Sequence, residues 1–261
     1  IEEYRQRLAK EGVELIPAQV KERLSEAELL EVIGDIDGII CGDDRITKRV
    51  LDAAPRLKVI SKWGTGIDSI DSKEAKRRGI QVYRTPNAFS EPVADTVLGY
   101  ILTFARKLQL MDQDIRSGRW EKPPLVSLSE CTLGVIGVGD CGKAVVRRAR
   151  AFGMRILGND IVEMPKDFIA ETHIEMLALD ELLANVDFIS LNPDLNPTSY
   201  HLIGKPQLDM MKPGAYLINA SRGPVVDEPA LIKALQEGQI AGAALDVFEE
   251  EPLPAQSPLR T

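Results

Sequence analysis

The sequence predicts an α/β protein with two parallel sheets, and three observations predict it. Helical and strand signals alternate throughout its 261 residues. A glycine turn, Gly137-x-Gly139-x-x-Gly142, joins a strand pattern to a helix pattern in the second half. A long apolar helix followed by a charged stretch divides the alternation into two series, and the second has strands enough for a complete doubly wound sheet.

The first series opens with "IEEYRQRLAKEG", a helix closing at Gly12, and Val13–Ile16 is a candidate strand. "SEAELLEVIG" starts a helix with a capping box, Ser25 followed by Glu28. Strands are expected at 37–42, 57–64 and 80–85, with helices at Thr47–Ala54 and Ser72–Arg78 between them. Such βα alternation over residues 1–86 implies a parallel sheet covered on both faces. No opening strand precedes the first helix and no Met begins the chain, so the sequence reads as a portion of a longer protein, truncated at both ends. Ser90 is expected to cap the long helix "EPVADTVLGYILTFARKL", with Pro92 tolerated in its first turn. "DQDIRSGRWEKPP" (112–124) reads as irregular. Strands near 132–136, 154–159, 173–176, 187–191, 215–219 and 242–247 then build a Rossmann domain over 87–254.

Bulk properties exclude several classes. A formal charge of −8 repels phosphate backbones, so no nucleic-acid partner is expected. No apolar run approaches the roughly 20 residues that span a bilayer, so no membrane partner is expected either. Cys41, Cys131 and Cys141 are odd in number and widely spaced, which suits a reducing, cytoplasmic setting and makes neither a disulfide framework nor a metal site.

"TLGVIGVGDCGKAVVRRARAFGMRILGND" (132–160) carries the sharpest chemistry. Gly137 permits a tight turn, Gly139 lets backbone approach a diphosphate, and Gly142 brings helix and strand together. The helix start offers unpaired N–H groups and partial positive charge to phosphate. Asp160 ends the next strand, where it can accept hydrogen bonds from a ribose diol. No base follows until Lys166, so NAD is expected rather than NADP. The alternative, an S-adenosylmethionine site, is decided against by what lies downstream.

"YLINASRGPVVDEPALIKALQEGQIAGAALDVFEEEP" (216–252), "KWGTGIDSID" (62–71) and "TPNAFSEPVADTV" (85–97) together resemble the D-isomer-specific 2-hydroxyacid dehydrogenases, a family that includes D-3-phosphoglycerate dehydrogenase and glyoxylate reductase. The resemblance runs from about Asp35 to Pro252. It implies an NAD-dependent oxidoreductase that interconverts a D-2-hydroxy acid and its 2-oxo acid, working as a homodimer, with residues 1–86 an incomplete, flavodoxin-like substrate domain and 255–261 the start of a return to it. It matches Arg222 to the arginine that holds the substrate carboxylate and carbonyl, a task suited to a planar, permanently charged fork. Glu251 matches the glutamate that pairs with a catalytic histidine. Thr65 and Gly66 match the substrate loop, with Thr65 also near the cofactor. Ala220, Ser221 and Asp246 match positions beside the nicotinamide, and Pro193 lies at a cofactor edge. From spacing alone, strand-end polar residues are more often merely exposed, so Arg222 reads as a solvated arginine and Glu249, Glu250 and Glu251 as surface charge; the resemblance lifts Arg222 and Glu251 and leaves Glu249 and Glu250 solvated. Lys62 reads as a charge steering an anionic substrate or as an exposed lysine without a role.

Family members carry a histidine in a Thr-Pro-His segment beyond the Glu–Pro pair, which this sequence does not reach by Thr261. His173 and His201 do not match it and read as structural or surface residues. The expectation is a chain that binds NAD but turns over poorly by itself. Two departures stand out. Asp140 and Cys141 occupy the glycine loop, where a carboxylate opposes a diphosphate unless Asp140 caps the helix. "SLNPDLNPTS" (190–199) also differs from the usual run after its strand. An NAD(H)-sensing corepressor of the same fold is the alternative in another class, and oxidation of formate or phosphite shares the architecture. "MDQDIRSGRW" (111–120), with Trp120 as anchor, fits a dimer arm.

Overall fold

The computed structural model describes residues 2–20 and 23–260, so Ile1 and Thr261, the ends of two expected segments, lie outside the described residues. The chain divides into two compact units. One comprises the residues up to Trp63 together with Ser69–Arg84; the other comprises Gly64–Asp68 and the residues from Thr85 onward.

The first unit holds a three-stranded parallel sheet of β1 (Gly38–Cys41), β2 (Val59–Lys62) and β3 (Gln81–Tyr83) in the order β1-β2-β3. Its helices are α1 (Glu2–Lys10), α2 (Glu26–Val32), α3 (Lys48–Asp52) and α4 (Ser72–Arg77). The Ser25–Glu28 capping box forms as expected. Val13–Ile16 pairs with no strand among the described residues: Gly12 takes φ +73°, and the Val13 N–H folds back onto the Leu8 carbonyl at 3.0 Å. Lys62 is not an exposed charge. It ends β2 on the covered face at 2% exposure, where its ammonium donates to the Gly42 carbonyl and the Asp43 carboxylate, each at 2.5 Å. A buried ammonium needs such partners to offset its lost hydration. Beside it, burial pushes the Cys41 thiol up to about 11, against a smaller opposing pull from Lys62.

The second unit is a six-stranded, wholly parallel sheet. Its strands are β4 (Thr132–Ile136), β5 (Arg155–Asn159), β6 (Glu175–Met176), β7 (Phe188–Leu191), β8 (Tyr216–Asn219) and β9 (Gly242–Leu245), in the order β6-β5-β4-β7-β8-β9. Strand order reverses between β4 and β7, the chain building outward through β5 and β6 on one side and through β8 and β9 on the other, which opens a crevice at their carboxyl ends. One face is covered by α5 (Ser90–Arg106), α7 (Asp140–Ala151) and α8 (Lys166–Thr172), whose Val97, Ile101, Val145 and Phe168 join Leu133 and Val135 in one core. The other is covered by α9 (Leu179–Asn185), α10 (Lys205–Met210) and α11 (Glu228–Gln236), with Leu182, Leu208 and Leu231 against Ile136 and Leu217.

Three local expectations are corrected. Ser90 is the first residue of α5 rather than its cap; its buried hydroxyl donates to Asn87 Oδ1 at 2.9 Å. The stretch 112–124 is helical as far as α6 (Leu108–Arg116). There Asp114, 5% exposed, accepts from the Arg119 guanidinium, an ion pair that propensity does not reveal. Finally, Gly139 and not Asp140 is the N-cap of α7, and the Asp140 side chain makes no capping bond.

Candidate active site

Every strand of the second unit but β6 delivers a candidate residue to the same carboxyl edge. After β4 the chain turns sharply at Gly137, φ +81°. A side chain there would collide with the Pro193 backbone nitrogen at 2.6 Å, which holds the loops after β4 and β7 together. At Gly142 a Cβ would sit 2.1 Å from the Gly137 carbonyl, so α7 packs directly on the turn. Gly139 differs: it is exposed, and nothing lies within 4 Å of where its Cβ would be. An open face at the N-terminus of a 12-residue helix fits an anion approaching backbone N–H groups.

Asp160 follows β5. One carboxylate oxygen accepts from the Val138 N–H at 2.6 Å and the other from the Val162 N–H at 2.8 Å. The acid therefore fixes the glycine turn as well as marking the end of its strand, and each oxygen keeps a lone pair for a diol. An open cavity of about 420 Å³ lies beside it, bordered by Asp160, Ile161, Val162 and Met176. Open backbone, helix start, acid and adjoining cavity fit a dinucleotide. Asp140 does not help, since it leaves an exposed negative charge in the first helical turn. Cys141 is half-buried, its thiol 3.9 Å from Ser90 Oγ, and burial raises its pKa, so it stays a thiol.

After β8, Asn219 is 1% exposed and braces Ser221 and Arg222. Its Oδ1 accepts from the Ser221 N–H and hydroxyl at 3.1 and 2.8 Å, and its Nδ2 donates to the Arg222 carbonyl at 2.9 Å. The Arg222 guanidinium donates through Nε to Asp68, at 3.1 and 3.3 Å to the two oxygens, and through Nη1 to the Ser221 carbonyl at 2.9 Å. Its Nη2 lies against Gly66, where a Cβ would stand only 2.1 Å away. Thr65 is tied back by its hydroxyl to the Thr85 carbonyl at 3.3 Å, and the Thr85 hydroxyl accepts from the Gly64 N–H at 2.9 Å.

A family model described as "D-isomer specific 2-hydroxyacid dehydrogenase, NAD binding domain" matches residues 98–261. The chain belongs to this family. It is 43% identical over 242 residues to a glyoxylate reductase of Korarchaeum cryptofilum, covering 90% of this chain and 73% of that protein. It is 40% identical over 247 residues to a D-3-phosphoglycerate dehydrogenase of Methanocaldococcus jannaschii, covering 93% of this chain and 47% of that one. Among solved structures, D-lactate dehydrogenase from Aquifex aeolicus, complexed with NAD and lactic acid, superposes with a TM-score of 0.87 at 32% identity, covering 95% of this chain and 74% of its own.

Membership gives the β9 loop its interest. Asp246 is exposed and accepts from the Tyr100 hydroxyl at 3.3 Å; burial and the nearby Asp246 raise the tyrosine's pKa. Glu251 accepts from the Phe248 N–H at 2.9 Å. Glu249 is not merely solvated: its Oε1 accepts from the Glu228 N–H at 3.0 Å and meets His201 Nε2 at 2.9 Å. His173 ends α8 in a left-handed turn, away from the residues named here by sequence and bonded through its own N–H to the Ile169 carbonyl. Pro193, Ala220 and Ser221 are half-buried along the rim. Among the described residues no three His, Cys, Asp or Glu side chains are grouped to hold a metal, and no helix is long and apolar enough to cross a membrane.

Sequence reasoning missed Asp68 and Asn219. Asp68 stands two residues from Gly66 inside a motif already singled out, and Asn219 is a lone amide ending the apolar run of β8. Asn219 was legible as a polar group where burial demands a partner, whereas exposed Asp68 is explained only by its pairing with Arg222.

Proposed function

We propose that this chain binds NAD(H) along the carboxyl edge of the six-stranded sheet, residues 87–254 forming the coenzyme domain, and that it acts on a small 2-oxo acid, forming the D-2-hydroxy acid. The observation that carries the reading is the Arg222 guanidinium, steadied by Asp68 over a Gly66 that has no side chain to block it. A guanidinium so steadied suits a carboxylate flanked by a carbonyl.

When bound, NADH supplies the hydride. The turn at Gly137, Gly139 and Gly142 would hold the diphosphate, with Asp140 and Cys141 alongside, and Asp160 the ribose diol. Pro193, Ala220, Ser221 and Asp246 would border the nicotinamide. The N–H groups of Thr65 and Gly66 meet the substrate carboxylate. Glu251 would orient the imidazole of the histidine general acid that the family resemblance implies and favour its protonated form, help worth about 10²–10⁴ in rate. NAD is favoured over NADP because Asp160 would repel a 2′-phosphate, and exposed Ile161 and Val162 offer it no counter-charge. The chain works as a homodimer through α6 and the segment after it, where Ile115 (57%) and Trp120 (77%) present apolar surface to solvent.

The deciding experiment follows NADH absorbance with glyoxylate, hydroxypyruvate and 3-phosphohydroxypyruvate, alongside calorimetry with NADH and NADPH. Coenzyme binding with steady oxidation by one of these acids supports the reading. Absence of any NADH heat at millimolar concentration defeats it, and NADH-dependent association without turnover points to a sensor instead.

A further inference from the structure

Resting on that reading, we propose that His201 is a positioning residue, tying the loop that carries Arg222 to the loop that carries Glu251. Both loops leave the carboxyl ends of neighbouring parallel strands, β8 and β9. At Gly223 a Cβ would fall 1.9 Å from the carbonyl carbon and oxygen of Phe248, so the two backbones are in direct contact. Contact alone lets loops slide; a cross-link fixes their register.

His201 supplies one from outside both. Its backbone N–H donates to the Pro224 carbonyl at 2.8 Å, two residues beyond Arg222. Two positions on, the Ile203 N–H donates to the Val225 carbonyl at 3.1 Å and the Asp227 N–H returns to the Ile203 carbonyl at 2.9 Å. The His201 ring meets Glu249 Oε1 at 2.9 Å, two residues before Glu251. Glu249 is held in turn by reciprocal bonds with Glu228: its carboxylate accepts from the Glu228 N–H at 3.0 Å, and its own N–H donates to Glu228 Oε2 at 3.1 Å. The Phe248 N–H then reaches Glu251 Oε1 at 2.9 Å.

Two further features mark His201 as more than a surface residue. It takes φ +50°, a left-handed conformation that few residues other than glycine adopt, histidine more readily than most. Its ring stacks on Tyr200 with centroids 4.0 Å apart, which fixes the direction in which Nε2 points. The pair with Glu249 is about a third exposed, so a modest effect on geometry is expected rather than a large one on stability.

The test separates coenzyme from substrate. NADH affinity is read by fluorescence, and oxamate, an oxo-acid isostere, is titrated calorimetrically into the NADH complex of wild type, His201→Ala and His201→Gln. His201→Ala is expected to leave NADH affinity within twofold and to weaken oxamate about 3- to 5-fold. His201→Gln, which keeps a donor for Glu249, is expected to restore oxamate to within about twofold of wild type. Oxamate binding by His201→Ala at wild-type strength overturns the proposal. So does equal loss of NADH and oxamate, or failure of the glutamine to rescue, either of which marks a merely structural residue. Wild type that binds NADH but not oxamate removes the 2-oxo-acid reading itself, and this inference with it.

Discussion

Arg222 Nε donates to both oxygens of Asp68, at 3.1 and 3.3 Å, although 154 positions separate the two residues. The carboxylate fixes the guanidinium plane and leaves its Nη2 edge against Gly66. Two substitutions should separate charge from aim. Arg222→Lys keeps charge but loses the fork, and is expected to lower kcat/KM for the oxo acid about 10- to 100-fold, the worth of one or two bonds to a charged group. Asp68→Asn keeps shape but weakens the brace, and is expected to raise KM about 3- to 10-fold with little change in kcat. Steady-state kinetics decide; an unchanged KM in Asp68→Asn removes the brace.

The three glycines of the turn should respond differently to one methyl group. In Gly142→Ala the new carbon meets the Gly137 carbonyl at 2.1 Å, which is backbone and cannot yield without shifting the turn. Thermal stability should drop by several degrees. In Gly139→Ala the methyl meets nothing, and φ −72° suits alanine, so the melting temperature should hold. NADH affinity should nevertheless fall at least about tenfold, because the methyl occupies space read as belonging to the diphosphate. Melting curves paired with NADH calorimetry check both; Gly139→Ala that binds NADH normally contradicts the placement.

The sheet of the second unit was legible because each strand is a short apolar run between helix signals, and the glycine spacing fixes where β4 ends. Arg222 was legible through its motif. What escaped depends on pairing across the chain. Nothing local distinguishes Lys62 from an exposed lysine; only the end of β1, 20 positions earlier, supplies the carbonyl and carboxylate that let it be buried. Asp68 escaped for the same reason. The second half of α6 was read as irregular because its polar residues dominate, while the pairing of buried Asp114 with Arg119, five positions on, does not show in helix propensity. Ser90 and Asp140 both sit one residue inside the boundaries expected of them, an error natural to helix ends.

Acid should destabilise the first unit through Glu74. Arg77 donates to it at 2.8 and 2.6 Å and Arg78 at 2.7 Å, and these bonds, Arg77 first, hold its pKa down to about 2 from 4.5. A depressed carboxylate pKa contributes stability that is present above about 4.5 and lost as pH falls toward about 2. Glu74→Gln should therefore melt below wild type at pH 7, and the gap should narrow steadily through that window. Melting temperatures across pH 2–7 measure it, and a pH-independent gap would show that the ion cluster contributes nothing.

If α6 and its following segment form the dimer contact, a charge at the centre should split it. Trp120 is 77% exposed, so Trp120→Glu costs the monomer no core packing. A shift from dimer to monomer in light scattering is expected, with NADH affinity retained. A variant that stays dimeric at the same concentration relocates the interface.

Asp160 has two tasks that a substitution should expose together. Its oxygens hold the Val138 and Val162 N–H groups at 2.6 and 2.8 Å, so the acid shapes the turn it also extends toward the ribose. Asp160→Ala should lower NADH affinity about 10- to 100-fold, since both the diol acceptor and the brace disappear. NADPH should lose less, because removing the negative charge relieves its repulsion from a 2′-phosphate. Asp160→Asn, one oxygen short but uncharged, should bind NADH between wild type and alanine while discriminating less against NADPH. Parallel titrations with the two coenzymes read the ratio directly. A ratio that does not move in either variant means the charge of Asp160 is spent on the turn, and that discrimination lies elsewhere along the edge.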